Sequence, residues 1–247
     1  MAYHEFASIY DQLMDHAPYD DWVQFTKDII KQKDKAVSTM VDLGCGTGEV
    51  AIPLAKQGYD MIGVDISTHM LACASNKALD ENVQVQWLAQ DMRQLTGMRD
   101  IDMVLSYCDS INYITNETDL SSVFTRVYDS LADDGLFVFD FHALPYASTH
   151  LMDQTFTHVS DDLTYIWDCE AGPLIGEMTH YLTFFQADGA LYRRFDEVHE
   201  QRTFSLDVYE ALLKNAQFSK IRFYADFSLE KKITENKGER IFAIAEK

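Results

Sequence analysis

The chain has 247 residues, 47% of them apolar, with 40 acids against 20 bases and a formal net charge of −20. That length and composition can bury one substantial core, or one core with an inserted part. The charge repels polyanions at long range and disfavours nucleic acid as a partner; with no signal-peptide pattern and no apolar run near the ~20 residues of a membrane span, a cytoplasmic chain is expected.

In chain order, Phe6, Ile9, Tyr10, Leu13 and Met14, then Trp22, Phe25, Ile29 and Ile30, recur at helical spacing. They predict an N-terminal helical cap over residues 1–35. Met40, Val41 and Leu43 read as the end of a buried parallel strand, and Val50, Ala51, Ile52, Leu54 and Ala55 as the apolar face of a helix. Gly44, Gly46 and Gly48 join the two. Three alternating glycines are more than a plain turn needs, but they suit a backbone that must let a ligand approach closely. A dinucleotide fingerprint would place a further glycine where Glu49 stands, and a carboxylate there opposes a pyrophosphate on the same amides. A ligand with no phosphate and a cationic centre fits better.

The pattern Asp42-x-Gly44-x-Gly46-x-Gly48 resembles motif I of the class I S-adenosylmethionine (SAM)-dependent methyltransferases. The resemblance implies an α/β fold with a doubly wound, seven-stranded, mostly parallel sheet. It also implies SAM as cofactor, held around Asp42, Gly44, Cys45, Gly46 and Gly48. Met61-Ile62-Gly63-Val64 is a second strand ending in Asp65, nineteen residues after Gly46, where a carboxylate can take both ribose hydroxyls; Ile66 follows it. Ser67 caps a helix carrying Met70, Leu71, Ala74 and Ala78. A third run, Val83 to Leu88, leads to Asp91 and Met92, to which the resemblance assigns the adenine amine and ring. The fourth strand, Met103 to Ser106, opens onto Tyr107-Cys108-Asp109-Ser110. In the family this segment lies under the methionine end and faces substrate. Tyr10-Asp11 resembles a pair that closes over the methionine carboxylate, with Tyr10 as core and Asp11 as a surface acid the competing reading.

Leu120, Val123, Phe124, Val127 and Leu131 predict a helix ended by turn chemistry at Asp133-Asp134-Gly135, and Leu136 to Phe141 a buried fifth strand. From about Thr155 to Thr203 aromatic and β-branched runs alternate with Asp161-Asp162, Gly172-Pro173 and Asp188-Gly189 turns. This predicts an inserted antiparallel sheet, either a lid over substrate or a sheet that is structural or forms a homodimer. The core resumes with a helix from Leu206 to about Asn215 and the strands Ile221–Tyr224 and Ile241–Ala245, closing as an antiparallel pair. The expected divisions are a cap at 1–35, a cofactor-binding core at 36–150, an inserted substrate or lid part at 151–204, and the rest of the core at 205–247. Cys45, Cys73, Cys108 and Cys169 lack paired spacing, so reduced thiols and no metal site are expected.

Methyl transfer from a sulfonium needs an aligned nucleophile and a dry, weakly polar wall; Tyr107, Tyr113, Phe141 and Tyr146 are placed to supply it, or else to pack the core. An amine or hydroxyl acceptor needs a base, and His142 and His199 are the candidates, each with a structural role as the alternative. Arg202 could hold a substrate carboxylate or pair with Glu200. Strand alternation sets His199 with Glu197 and Gln201 on one face, so Arg202 turns inward only if the strand bends near Gln201. The reading is transfer of methyl from SAM to an N or O atom of a small molecule. The alternatives are a SAM-binding regulatory protein without transfer, and a protein methyltransferase.

Overall fold

A computed structural model of the chain describes residues 9–33, 36–189 and 191–247. Phe6, expected in the first apolar stripe, lies outside them. After a helical turn at 9–13 comes α1 (Tyr19–Lys31), whose Trp22, Val23, Phe25 and Ile29 are buried. Strands and helices then alternate through β1 (Thr39–Leu43), α2 (Ala51–Lys56), β2 (Asp60–Asp65), α3 (Thr68–Asp80), β3 (Val85–Ala89), β4 (Ile101–Ser106), α4 (Glu117–Ser130) and β5 (Leu131–His142). Ser67 caps α3 by accepting the Met70 N–H at 3.3 Å, and Asn116 caps α4 by accepting that of Asp119 at 2.9 Å.

A separate antiparallel sheet follows, made of β6 (Gln154–Val159), β7 (Leu163–Ala171), β8 (Glu177–Asp188) and β9 (Leu191–Arg202), paired in chain order. The chain then returns through α5 (Leu206–Asn215), β10 (Ser219–Ala225), β11 (Ser228–Ile233) and β12 (Arg240–Glu246). The large sheet has the order β11-β10-β12-β5-β4-β1-β2-β3. Strands β1 to β5 are mutually parallel, and β12, β10 and β11 add antiparallel to that edge. The expected pairing of the last two apolar strands is present. The eighth strand, β11, has no apolar run and was not legible as one; it pairs loosely, across a register shift between Phe223 and Ala225.

Alternation along β4 and β5 divides the core. Val104, Phe137, Phe139 and Phe141 face α4 and α5, where Phe124 and Tyr209 are fully buried against them. Met103, Leu105, Tyr107 and Val138 face the other way, against Trp22 and Phe25 of α1. The turn expected at Asp133-Asp134-Gly135 lies inside β5: the register slips between Ile101 and Met103, and Asp134 takes φ +63°. The extra residues are absorbed as a bulge, so the helix end and the strand start adjoin at Ser130 and Leu131. All four cysteines are free thiols, and no helix among the described residues is long and apolar enough to cross a membrane.

Strand order reverses between β1 and β4, and an α/β sheet opens a crevice at the carboxyl ends of its strands there. Replacing Phe124 by Ala should empty the packing above that half of the sheet. The expected loss is about 3–5 kcal/mol, or a Tm lower by roughly 10 °C, read by calorimetry.

Candidate cofactor and acceptor site

One cavity of about 580 Å³ runs from the glycine loop to the inserted sheet. At its first end Gly44 has φ +78°, and a Cβ there would lie 2.7 Å from that of Ser110. Gly46, at φ +53°, has nothing within 4 Å of where a Cβ would be, so its backbone is open to a ligand. Its N–H donates to Asp65 Oδ2 at 2.9 Å, and the Ser67 N–H donates to Asp65 Oδ1 at 2.8 Å. Burial raises the Asp65 carboxyl above its usual range, while those backbone donors oppose the rise. These donors leave the carboxylate acceptor capacity for a ligand hydroxyl.

Tyr10, Gly44, Gly46, Asp65, Asp91 and Met92 all line this end, as does Ile66, which is 68% exposed. Asp91 accepts from Arg93 Nε and Nη2, and that guanidinium holds it below the usual carboxylate range. Asp42, Cys45 and Gly48 stand behind the loop and not in the cavity wall. Asp42 is buried; desolvation and the nearby Asp65 push it up to about 7, against the Ala51 N–H that holds it. That contact ties the end of β1 to the first residue of α2. Asp11 also turns away from the cavity, accepting from Thr47 Oγ1 at 2.6 Å and pairing with Lys77 at 2.5 Å. Lys77 pairs with Glu49 as well, so the carboxylate that opposes a pyrophosphate is partly neutralised in place.

Of the four residues expected to act in catalysis, two reach the cavity. His142 closes β5 with its Nε2 3.5 Å from Asp109 Oδ1, and His199 accepts from or donates to the Tyr113 hydroxyl through Nδ1 at 3.1 Å. Tyr107 does not. It continues the alternation of Met103 and Leu105, so it points at α1, where its hydroxyl meets Thr26 Oγ1 at 2.9 Å. Arg202 is likewise turned out, because β9 pairs regularly with β8 through Glu177↔Arg202 and never bends. Its guanidinium donates to the carbonyls of Ile175 and Thr115 and stacks on Phe204. Of the expected aromatic wall only Tyr113 is present; Phe141 is in the core, Tyr146 stacks on His150, and β7 supplies Tyr165 and Trp167 instead.

Asp109, in the segment expected to face substrate, completes this end together with His180, Gln201 and Arg240, which were not expected there. Arg240, the first residue of β12, donates to Asp109 Oδ1 at 3.0 Å and to the fully buried Asp140 at 2.9 Å. Trp22 Nε1 also donates to Asp140, at 2.7 Å. Burial raises Asp140; it works against ionisation of Asp109 too, but His142 and Arg240 outweigh it there and hold that carboxyl low. On the other side, Trp167 Nε1 can only donate, and it meets His180 Nδ1 at 2.9 Å. His180 therefore carries its proton on Nε2 and donates to Gln201 Oε1 at 3.2 Å, and Gln201 Nε2 donates to Asp109 Oδ2 at 3.1 Å. The alternation of β9 contains the signal for Gln201, which shares the inward face of His199.

Burial is the main reason that His142 and His199 fall to about 4. Each stays neutral in the folded chain at a pH where the unfolded chain, near 6.5, has taken up its proton. Their contribution is complete above about pH 6.5 and lost as pH falls toward 4, by at most about 3 kcal/mol each. The Tm advantage of the parent over a His199→Gln variant should therefore shrink between pH 6.5 and 4, as calorimetry across that range would show.

The methyltransferase domain family matches residues 40–135. A putative methyltransferase of Geobacillus sp. (strain WCH70) is 39% identical over 250 residues, covering 100% of each chain. The crystal structure of an S-adenosylmethionine-dependent methyltransferase from Clostridium acetobutylicum ATCC 824 superposes with a TM-score of 0.88 at 30% identity, covering 100% of this chain and 99% of that one. The fold is shared with CalS10, an amino pentose methyltransferase from Micromonospora echinaspora solved with SAM bound, at 17% identity, a TM-score of 0.78 and 97% coverage of both chains. With a sheet that reverses at β1 and β4, and glycines open at that reversal, the chain belongs to the SAM-dependent methyltransferases and takes SAM as its cofactor.

Proposed function

We propose that this chain transfers the methyl group of SAM to an N or O atom of a small-molecule acceptor held at the histidine-lined end of the cavity. The observation that carries this is the continuity of one cavity from Gly46 and Asp65 to His142, His180 and His199. Bound SAM supplies an activated methyl on a sulfonium. The open backbone at Gly46, the Asp65 carboxylate and the Met92 side chain would hold its adenosyl part. The inserted sheet, within residues 151–204, serves as the lid of a core made of 36–150 and 205–247, with the described part of 1–35, residues 9–33, as the cap. Its inward residues exclude water from the acceptor.

His142 is neutral near pH 7 and lies at the end of β5, so its ring can take the acceptor's proton. Asp109, 3.5 Å away, orients that ring and stabilises the charge it gains. His199, held by the Tyr113 hydroxyl, lines the same cavity. A net charge of −20 argues against a nucleic acid acceptor, and a cavity of about 580 Å³ suits cofactor plus a small molecule.

Incubation with methyl-labelled SAM and a fractionated bacterial extract tests the reading. Label should enter the small-molecule fraction. Binding of S-adenosylhomocysteine with no label leaving SAM would favour a regulatory protein, and label in macromolecules a protein methyltransferase. His142→Ala should lower kcat by about 10²–10⁴ while leaving S-adenosylhomocysteine affinity intact. Gly44→Ala should do the reverse, weakening that affinity at least tenfold by calorimetry, because its methyl meets Ser110 at a left-handed φ.

A further inference from the structure

We infer that Asp109 selects the acceptor, and that the acceptor it selects carries a protonated amine; this rests on the methyl-transfer reading above. Four observations converge on that residue. Its carboxylate lines the cavity at the acceptor end, and it accepts from Gln201 at Oδ2 and from Arg240 at Oδ1. A carboxylate has about four acceptor positions, so even with His142 Nε2 3.5 Å from Oδ1 beside Arg240, Oδ2 keeps one for a ligand N–H. The charged and titratable groups that face it are His142 and Asp140 from β5, Arg240 from β12 and, through Gln201, His180 from β8.

Their charges do not cancel. Arg240 is the one guanidinium that lines this end among the described residues, and it is shared between two carboxylates, Asp109 and Asp140. Arg202, the other guanidinium nearby, is spent on backbone carbonyls outside the cavity. The three histidines are kept neutral by burial, and His180 has a further reason: a second proton on Nδ1 would confront the Trp167 N–H. An anionic acceptor would meet a carboxylate with no free cation to receive it. An ammonium would meet an ionised carboxylate in a partly desolvated wall that Tyr113 and Trp167 also line.

The backbone adds a separate indication. Cys108 and Asp109 are consecutive non-glycine residues at φ +54° and +50°. Each left-handed residue is strained, and such strain persists only where the surroundings over-determine it. Here the Asp109 N–H donates to Asp140 Oδ1 at 2.9 Å while both side-chain oxygens are gripped, from the core by Arg240 and from the inserted sheet by Gln201. The chain thus holds one carboxylate at the end of the cavity against local conformational preference. Gln201 and His180 are positioning residues in this scheme, and Asp109 is the one that touches the acceptor.

The test uses the full chain, methyl-labelled SAM and the small-molecule fraction of a bacterial extract, with half of the extract first treated with acetic anhydride in bicarbonate to cap its amines. Label transfer should fall at least tenfold in the capped half, and the labelled product from the untreated half should be retained on a cation exchanger. Transfer that survives capping, or a product retained only on an anion exchanger, overturns the selection while leaving methyl transfer standing. No transfer in either half, with S-adenosylhomocysteine still bound, removes the methyl-transfer reading and the selection with it. With the product-forming acceptor in hand, Asp109→Asn should raise its KM at least tenfold with S-adenosylhomocysteine affinity within about twofold, and Asp109→Glu should recover part of the loss. Should Asp109→Asn fail to fold, Gln201→Leu leaves the Arg240 pair in place and should raise KM about three- to tenfold with little change in kcat; an unchanged KM there overturns the proposal.

Discussion

The guanidinium of Arg240, set between the carboxylates of Asp109 and Asp140, is the contact on which the arrangement of the site depends. It joins the first residue of β12, the middle of the strain-bearing turn after β4, and the end of β5, and Trp22 of α1 closes the same cluster through Asp140. Three segments far apart in sequence are fixed by one planar group whose fork matches carboxylate geometry. The net stability of such a buried group is small, because desolvating three charges offsets their attraction. Its worth is positional: leaving either carboxylate alone would cost on the order of 3–5 kcal/mol, so the turn has no cheap alternative geometry.

The second constraint is the period of two along each strand. It explains in the same terms what reaches the cavity and what does not. Tyr107 follows Met103 and Leu105 onto the α1 face, whereas the end of β5 delivers His142 to the crevice. In β9 the burial alternates from Phe195 through Glu197 and His199 to Gln201, and Arg202 falls on the outer side. An arginine one position away from a buried glutamine is thereby excluded from the acceptor, and an amide is admitted. The polarity of the acceptor end follows from this register as much as from its composition.

The cofactor end was legible in the sequence because its signals are local: Gly44 and Gly46 at positive φ, the strand end at Asp65, and the cap at Ser67 all depend on residues a few positions apart. The inserted sheet and its inward face were legible for the same reason. The acceptor end was legible only in part: His142, His199 and the segment that holds Asp109 were, but the cluster was not, since Asp109, His180, Gln201 and Arg240 come from four separate segments and meet only through the closing of β12 on β5 and the seating of β9 over the turn after β4. No spacing rule relates them. The bulge at Asp133–Gly135 and the strand β11 escaped because each lacks the apolar periodicity from which elements are read.

The grip of Asp11 on Thr47 and Lys77 fixes the residues around Tyr10, Leu13 and Met14 over the nucleoside end of the cavity. Both partners of the ion pair remain partly in solvent, so that contact is worth no more than about 1 kcal/mol and is weakened by salt. The same segment is held more firmly by its apolar side, where Ile9, Tyr10 and Leu13 pack with Met70 of α3 and with Leu163, Phe184 and Phe195 of the antiparallel sheet. The N-terminal segment and the antiparallel sheet therefore share one apolar seam, which couples the covering of the two ends of the cavity: a shift of either element disturbs the packing of the other.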